Sequence, residues 1–516
     1  MKYMKRLRAF LLNGLILTIT SLLMSSISVW FNVYLGNKIG NEMMGVFQLI
    51  MSVYGFSITL ATGGINLATT RLVAEEMGRS AHPNLKKILR KCLLYSISFG
   101  TVTAVLLYQL APAIGLQMLQ NPQTVLPLKT LAISLPCIAM SSVLSGYFTA
   151  VRRVVKNASI RIAEQFVKIF LTIVGLTVLS PGGLEQTCLC MVWAGVISEI
   201  FSFLFSFIMY QMDARRYKKC DRASQGITRR MFGIALPVAM SANLRSGILT
   251  VKNLLVPIQL RKFGVSESEA YAAFGAIHGI VLPVILFPSA FLFSFCDLIV
   301  PELAECFAVA DNLKDNIRIN YMVTRMSQMT LLFSMGVAGI MFCFSTQVGE
   351  LISSSDEIGL YADYIRLFAL IIPIMYFDHA VDAMLKGLDE QRSSMRYNII
   401  DSTGTLILVW FLLPVSGIQG YVFVLYMSEI INFALSLHRL IKVTSFRVNL
   451  ADTILKPALC IGLAVALPAL GIQLMPSLDA PIFLIASSAF LYLILLCVTG
   501  CLTPEDIKWL KSIFAK

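Results

Sequence analysis

Charge is scarce in this 516-residue chain. Asp, Glu, Lys and Arg together make up 14% of it, against 57% hydrophobic residues and a mean hydropathy of +0.76. Soluble domains carry about 25% charged residues, so a chain this long and apolar cannot hide its hydrophobic side chains in a water-soluble core. Strict alternation of apolar and polar residues is also missing, which excludes a transmembrane barrel and leaves helices that satisfy their own backbone. No Gly-rich nucleotide loop and no HExxH motif occurs, so neither an ATPase nor a metalloprotease is indicated. The eleven cysteines are scattered. Cys188-x-Cys190 and Cys497-x3-Cys501 lack the paired spacing of a zinc site, and no disulfide framework is visible. They read as small buried hydrophobes, and neither metal nor cofactor is expected.

What is present is a succession of apolar runs, each near the roughly 20 residues that cross a bilayer. Breaks at Gly, Pro and charge clusters divide the chain into about fourteen spans. The pair 396–414 and 418–440 depends on a tight turn from Pro414 to Gly417. Residues 9 to 37 contain no charge, too long a run for a signal peptide and long enough to span, so they read as an uncleaved first helix. With the N-terminus placed inside, 34 of the 42 Lys and Arg residues fall on inward segments. This positive-inside bias predicts an even number of spans with both termini cytoplasmic in a plasma membrane. It also accounts for the net charge of +13 without nucleic acid. After the last span, Thr503-Pro504-Glu505-Asp506 reads as the start of a short interfacial helix.

An internal repeat is faint but regular. Segment 45–75 aligns with 275–305, matching Gly45 to Gly275, Glu75 to Glu305 and Gln48 to His278. Segment 131–164 aligns with 368–401, matching Leu135-Pro136 to Ile372-Pro373 and Glu164 to Asp401. Nearly equal offsets in two places imply a parallel duplication. The expected architecture is an all-α membrane protein with two pseudo-symmetric six-helix lobes and two added helices. The divisions are an N-terminal lobe 1–212, a linker 213–225, a C-terminal lobe 226–441, two helices in 442–502 and the interfacial helix 503–516.

Several stretches resemble the stage V sporulation protein B family: Asn32-Val33-Tyr34-Leu35-Gly36-Asn37-Lys38-Ile39-Gly40, Met44-Gly45-Val46-Phe47-Gln48, Arg71-Leu72-Val73-Ala74-Glu75-Glu76, Pro301-Glu302-Leu303, Met384-Leu385-Lys386-Gly387-Leu388 and Met395-Arg396-Tyr397-Asn398. That family lies in the multidrug/oligosaccharidyl-lipid/polysaccharide exporter superfamily, beside lipid II flippases and drug extruders. The resemblance implies two six-helix lobes, alternating access, an undecaprenyl-pyrophosphate-linked saccharide as cargo, and a groove for the lipid tail formed by the last two helices. One departure concerns the first helix. Related flippases tend to carry arginine there, whereas this one has no charge between Arg8 and Lys38.

Arg245 and Lys252 are the sharpest candidates. Seven residues apart on one helix, they share a face and lie roughly 10 Å apart along its axis. An unpaired charge near mid-helix costs about 2.5–3.5 kcal/mol on insertion scales, so it is expected to face a bundle interior or a wet cavity. A guanidinium suits bidentate phosphate contact and a lysine acts as a point charge, which points to pyrophosphate capture. A structural pairing of Arg245 with Glu199 or Asp297 is the competing reading. Ser21, Ser25, Ser28 and Asn32 form a polar stripe on the first helix, suited to sugar hydroxyls or to close helix packing. Gln48 and His278 extend the set of polar candidates. Asp378 and Asp382, four apart, are read with Glu199 as a proton or cation site or as counter-charges. The alternative for Asp382 is an ion pair with Lys386. Glu164 and Lys168 have the spacing of an intrahelical pair.

Three functions follow for comparison. A flippase for a polyprenyl-pyrophosphate-linked saccharide, drawing on a coupling ion (H+ or Na+), fits the buried cations. A cation-coupled drug antiporter predicts carboxylates in an apolar pocket and only twelve helices. A membrane-embedded cell-envelope enzyme needs catalytic groups on substantial outer loops, and these loops are short.

Overall fold

The computed structural model describes residues 2–79, 85–178, 182–214, 226–309, 316–353, 357–446, 451–474, 481–503 and 506. The expected linker 213–225 therefore lies almost wholly outside the described residues, as does nearly all of the expected interfacial helix. Among the described residues the regular structure is helical throughout: α1 (Lys2–Thr62), α2 (Ile65–Arg79), α3 (Leu85–Ala113), α4 (Val125–Ala132), α5 (Leu135–Ala150), α6 (Val154–Val178), α7 (Leu184–Ala214), α8 (Ile227–Lys262) and α9 (Glu267–Gly275). There follow α10 (Leu282–Leu286), α11 (Ser289–Val309), α12 (Ile317–Cys343), α13 (Ser345–Ile352), α14 (Ile358–Ala369), α15 (Ile372–Gly387), α16 (Gln391–Val443), α17 (Lys456–Leu474) and α18 (Pro481–Val498).

The protein is a multi-pass, all-α membrane protein. Nine described helices are long and apolar enough to span, or up to eleven when each of two bent pairs counts as one. The count of fourteen is not reached by that test. Two of the nine are overlong, however. At about 1.5 Å per residue, α1 and α16 exceed twice a hydrocarbon core of about 30 Å. Each contains a break where the backbone leaves the helical region: Gly40 (φ 79°, ψ 165°) and Gly417 (φ 56°, ψ −138°). Glycine tolerates positive φ without a steric penalty. Gly417 is three residues after Pro414, the place the sequence marks for a turn.

The chain divides into two compact units. One contains Met1–Asn41, Ala276–Leu408 and Ile418–Lys516; the other contains Glu42–Gly275 and Val409–Gly417. For brevity they are unit 1 and unit 2. The cuts fall at 41/42, 275/276, 408/409 and 417/418.

Each unit contains one copy of a shared skeleton, and the offset of 237 holds to the residue. In unit 2, the pair Pro122–Ala132 and Leu135–Ala150 bends by 45°; in unit 1, Ile358–Ala369 and Ile372–Gly387 bend by 53°. Pro136 and Pro373 sit in the first turns after the bends, where a missing N–H costs no helical bond. Both second helices end alike. Arg152 (φ 57°) and Asp389 (φ 58°) turn the chain, and Arg153 and Glu390 each donate a backbone N–H at 2.8 Å to the carbonyl five residues earlier. Ser145 bonds Asn157 at 3.1 Å, and their counterparts Asp382 and Ser394 bond at 2.7 Å. For the other alignment, a Cβ on Gly45 would overlap the Tyr271 carbonyl and lie 3.2 Å from the nitrogen of Gly275, its own counterpart.

Candidate substrate and coupling sites

In unit 2, α8 packs against the part of α1 that follows Gly40 through a ladder of small polar contacts. Thr59 donates to Ser246 at 3.4 Å, Thr250 to the Ser52 carbonyl at 3.1 Å and Asn253 to the Ser52 hydroxyl at 3.0 Å. Short hydroxyl and amide side chains allow close helix approach while satisfying one another in a low-dielectric interior. The ladder fixes the rotation of α8 and leaves Arg245 exposed on another face. Among the described residues Arg245 makes no hydrogen bond or ion pair, so the pairing with Glu199 does not form; the Asp297 side chain is outside the described residues. Lys252 is half-buried and has a polar partner. Gln48 is half-buried and, among the described residues, has no hydrogen bond.

The remaining substrate candidates belong to unit 1. Ser25, Ser28 and Asn32 are half-buried on α1 and make no hydrogen bonds among the described residues, leaving their polar groups available. His278 lies in a π-helical turn, Ala276–Val281, a local widening that is frequent at functional sites. Its Nε2 shares a short hydrogen bond with the hydroxyl of Tyr421, which is 2% exposed. Sequence reasoning missed Tyr421, because the contact spans 143 residues.

Unit 1 also gathers carboxylates. The Oδ2 of Asp378 accepts from Asn432 at 2.8 Å, while its Oδ1 is buried with no partner among the described residues. Asp382 accepts from Ser394 at 2.7 Å, and no ion pair with Lys386 forms among the described residues. Asp401 accepts from Ser428 at 2.8 Å and Thr405 at 3.2 Å. Asp378 lies within electrostatic reach of Asp382, Glu429 and Asp401. Ser436 is fully buried two turns along α16 from Glu429, and its hydroxyl has no partner among the described residues. The adjacent His379 instead stacks on Phe293, with ring centroids 3.6 Å apart.

Glu199 belongs to unit 2, in a separate cluster with Glu164 and Lys168. Glu164 accepts from Ser202 at 2.7 Å. Among the described residues the expected intrahelical bridge from Glu164 to Lys168 does not close; Lys168 lies within electrostatic reach of Glu199 on α7. Tyr54 completes the cluster, its hydroxyl 2.6 Å from that of Ser134 at the bend between α4 and α5.

An apolar cavity of about 320 Å³ opens in unit 1 among α11, α12 and α18. Phe291, Phe295, Phe333, Gly336, Tyr492 and Leu496 line it, with Leu502 just after α18. The Tyr492 hydroxyl is tied to the Leu332 carbonyl at 2.8 Å, so the ring presents only carbon to the cavity. No group of three or more metal-binding side chains occurs among the described residues.

The polysaccharide biosynthesis protein family matches residues 10–253. Stage V sporulation protein B of Bacillus subtilis (strain 168) is 23% identical over 513 residues, covering 97% of both chains. Among solved structures, the inward closed conformation of the lipid II flippase MurJ superposes with a TM-score of 0.69 at 14% identity, covering 94% of this chain and 98% of that one. An inward-facing multidrug resistance transporter of the MATE family gives 0.60 at 14% identity, covering 84% and 98%. These solved neighbours are a flippase and a transporter rather than enzymes. The chain is thus similar to stage V sporulation protein B over nearly its whole length and shares the fold of the solved MurJ and MATE structures.

Proposed function

We propose that the protein moves a polyprenyl-pyrophosphate-linked saccharide across the plasma membrane by alternating access, with a cation or proton handled by the carboxylates of unit 1. The carrying observation is Arg245: an exposed guanidinium near the middle of a spanning helix, without a partner among the described residues. Such a charge is tolerated where water or an anion meets it, and its fork matches a phosphate bidentately. Lys252 adds positive charge two turns away, and the hydroxyls of Ser25 and Ser28 with the carboxamide of Asn32 offer sugar contacts. Gln48 and His278 supply further polar edges. The apolar cavity beside α18 suits a hydrocarbon tail.

The drug-antiporter reading draws support from the MATE-like fold and the carboxylate cluster around Asp378. Native mass spectrometry against an undecaprenyl-pyrophosphate lipid and a lipophilic cationic drug separates the two. Losing a charged hydrogen-bonded contact costs about 1.5–3 kcal/mol, so Arg245→Ala weakens lipid binding by roughly 10- to 150-fold and leaves drug binding unchanged. Unaltered lipid affinity in that variant overturns the assignment.

A further inference from the structure

Superposing the two copies of the skeleton by residue number exposes the exchange of a cation between their polar cores. Glu164 of unit 2 corresponds to Asp401 of unit 1 at the offset of 237. Each carboxylate accepts from one serine on the helix that follows: Ser202 at 2.7 Å and Ser428 at 2.8 Å. One turn further along the same helices, the offset sets Lys168 against Thr405. Thr405 donates to Asp401 at 3.2 Å. Lys168 instead brings its ammonium within electrostatic reach of Glu199. The matching carboxylate is therefore retained in both units, but only unit 2 has a cation at that place on the helix.

From this exchange we infer that Lys168 is a built-in counter-cation for the Glu164–Glu199 core. On this inference it makes unit 2 indifferent to dissolved alkali cations and confines the cation response to unit 1. The inference rests on the reading of the unit 1 carboxylates given above. An ammonium is a compact point charge on a flexible stem, so it replaces a monovalent ion in charge and never dissociates. Two carboxylates held close in a low-dielectric core repel. A tethered cation relieves that repulsion permanently, whereas a free cation relieves it only when bound. Tyr54 and Cys137, which lie within electrostatic reach of Glu199, contribute no positive charge. Lys168 thus decides which half of the duplicated protein senses ions, although it touches no cargo.

The test measures thermal unfolding of the full chain in detergent, titrated with sodium chloride against choline chloride at constant ionic strength. In the wild type, the sodium-dependent rise in midpoint is saturable and disappears in Asp378→Asn. Lys168→Thr, which copies the other repeat, gains an added sodium-dependent rise. That gain survives with Asp378→Asn and is lost with Glu199→Gln. Identical sodium curves for Lys168→Thr and wild type, with the wild-type response still lost in Asp378→Asn, overturn the role of Lys168 and leave the unit 1 reading intact. A gain in Lys168→Thr on a wild type that shows no response does the reverse. If Lys168→Thr does not fold, the double variant Lys168→Met with Glu199→Gln must recover the fold, and Lys168→Arg must retain wild-type behaviour. Failure of either sinks the inference.

Discussion

The turn after each bent helix is closed by an ion pair, and the two copies of that pair have opposite polarity. In unit 1, Glu390 receives Arg439 through two hydrogen bonds, at 2.5 and 3.0 Å. Subtracting 237 from Glu390 gives Arg153, and Arg153 pairs with Asp213 at 3.7 Å. The same position is acidic in one unit and basic in the other, and the partner near the end of the closing helix is reversed with it. A contact that persists through charge reversal is selected for the attraction itself. The Arg439 and Glu390 side chains are 29% and 21% exposed, which limits its strength. Exposed pairs contribute about 0.2–1 kcal/mol, and a bidentate charge-assisted geometry roughly doubles that, so the coupling is about 0.4–2 kcal/mol. Arg439→Glu faces two carboxylates across the turn and costs more than Arg439→Ala. Adding Glu390→Arg reinstates the polarity of the other unit and recovers most of the loss in thermal unfolding. The Arg439 hydrogen bonds hold the Glu390 carboxyl below its ordinary range. A depressed carboxyl contributes stability above its unfolded value of about 4.3. That contribution is lost as pH falls through the lower folded value. Wild type should therefore lose a component of stability on acidification that Glu390→Gln lacks from the start. A reversed double variant no more stable than Arg439→Glu alone would refute the attraction, and equal acid sensitivity in Glu390→Gln would refute the assignment of the pH component.

Two further outcomes test packing at sites built around glycine. Gly45→Val places branched carbon against the Tyr271 carbonyl, where even a Cβ overlaps backbone; overpacking costs about 1–3 kcal/mol, and the variant should unfold at lower temperature, whereas Gly55→Ala, with open space around it, should not. Gly336→Leu drives a side chain into the Tyr492 ring at the wall of the apolar cavity; binding of a polyprenyl-pyrophosphate lipid should weaken while binding of a short water-soluble pyrophosphate is unchanged, as read by native mass spectrometry.

Much of the architecture is legible in the sequence because a bilayer enforces simple rules. Apolar runs near 20 residues must be helices, and Pro414 with Gly417 marks a break that the backbone then makes at Gly417. The second repeat is legible because Leu135-Pro136 and Ile372-Pro373 both open a helix after a bend, where proline is useful rather than disruptive. Spacing alone fails for the ionic contacts. Glu164 with Lys168 and Asp382 with Lys386 have the four-residue separation of helical pairs, yet the carboxylates bond Ser202 and Ser394 instead. A hydroxyl on a neighbouring segment satisfies a carboxylate without fixing a long, flexible cation beside it, and periodicity along one helix carries no record of what the next helix presents. The same limit hides Tyr421 and the approach of Asp401 and Glu429 to Asp378.

The duplicated skeleton separates what the fold requires from what function has altered. The bend, the capping turn and the 145–157 and 382–394 hydrogen bonds recur at fixed offset, and an inner-end ion pair recurs with its polarity reversed, although its partners Asp213 and Arg439 lie off that offset. These tie a helix hairpin to its neighbour and tolerate any residue pair that attracts. The cores between them follow a different rule. Asp378, with one carboxylate oxygen unbonded, belongs to unit 1, where its counterpart in unit 2 is Ser141. Lys168 belongs to unit 2, where its counterpart in unit 1 is Thr405. Glu199 is likewise confined to unit 2, where the offset sets Ser436 of unit 1 against it. The unit 2 core therefore gains one acid and one cation, whose charges offset, while the unit 1 core gains an acid and has threonine where unit 2 has the cation.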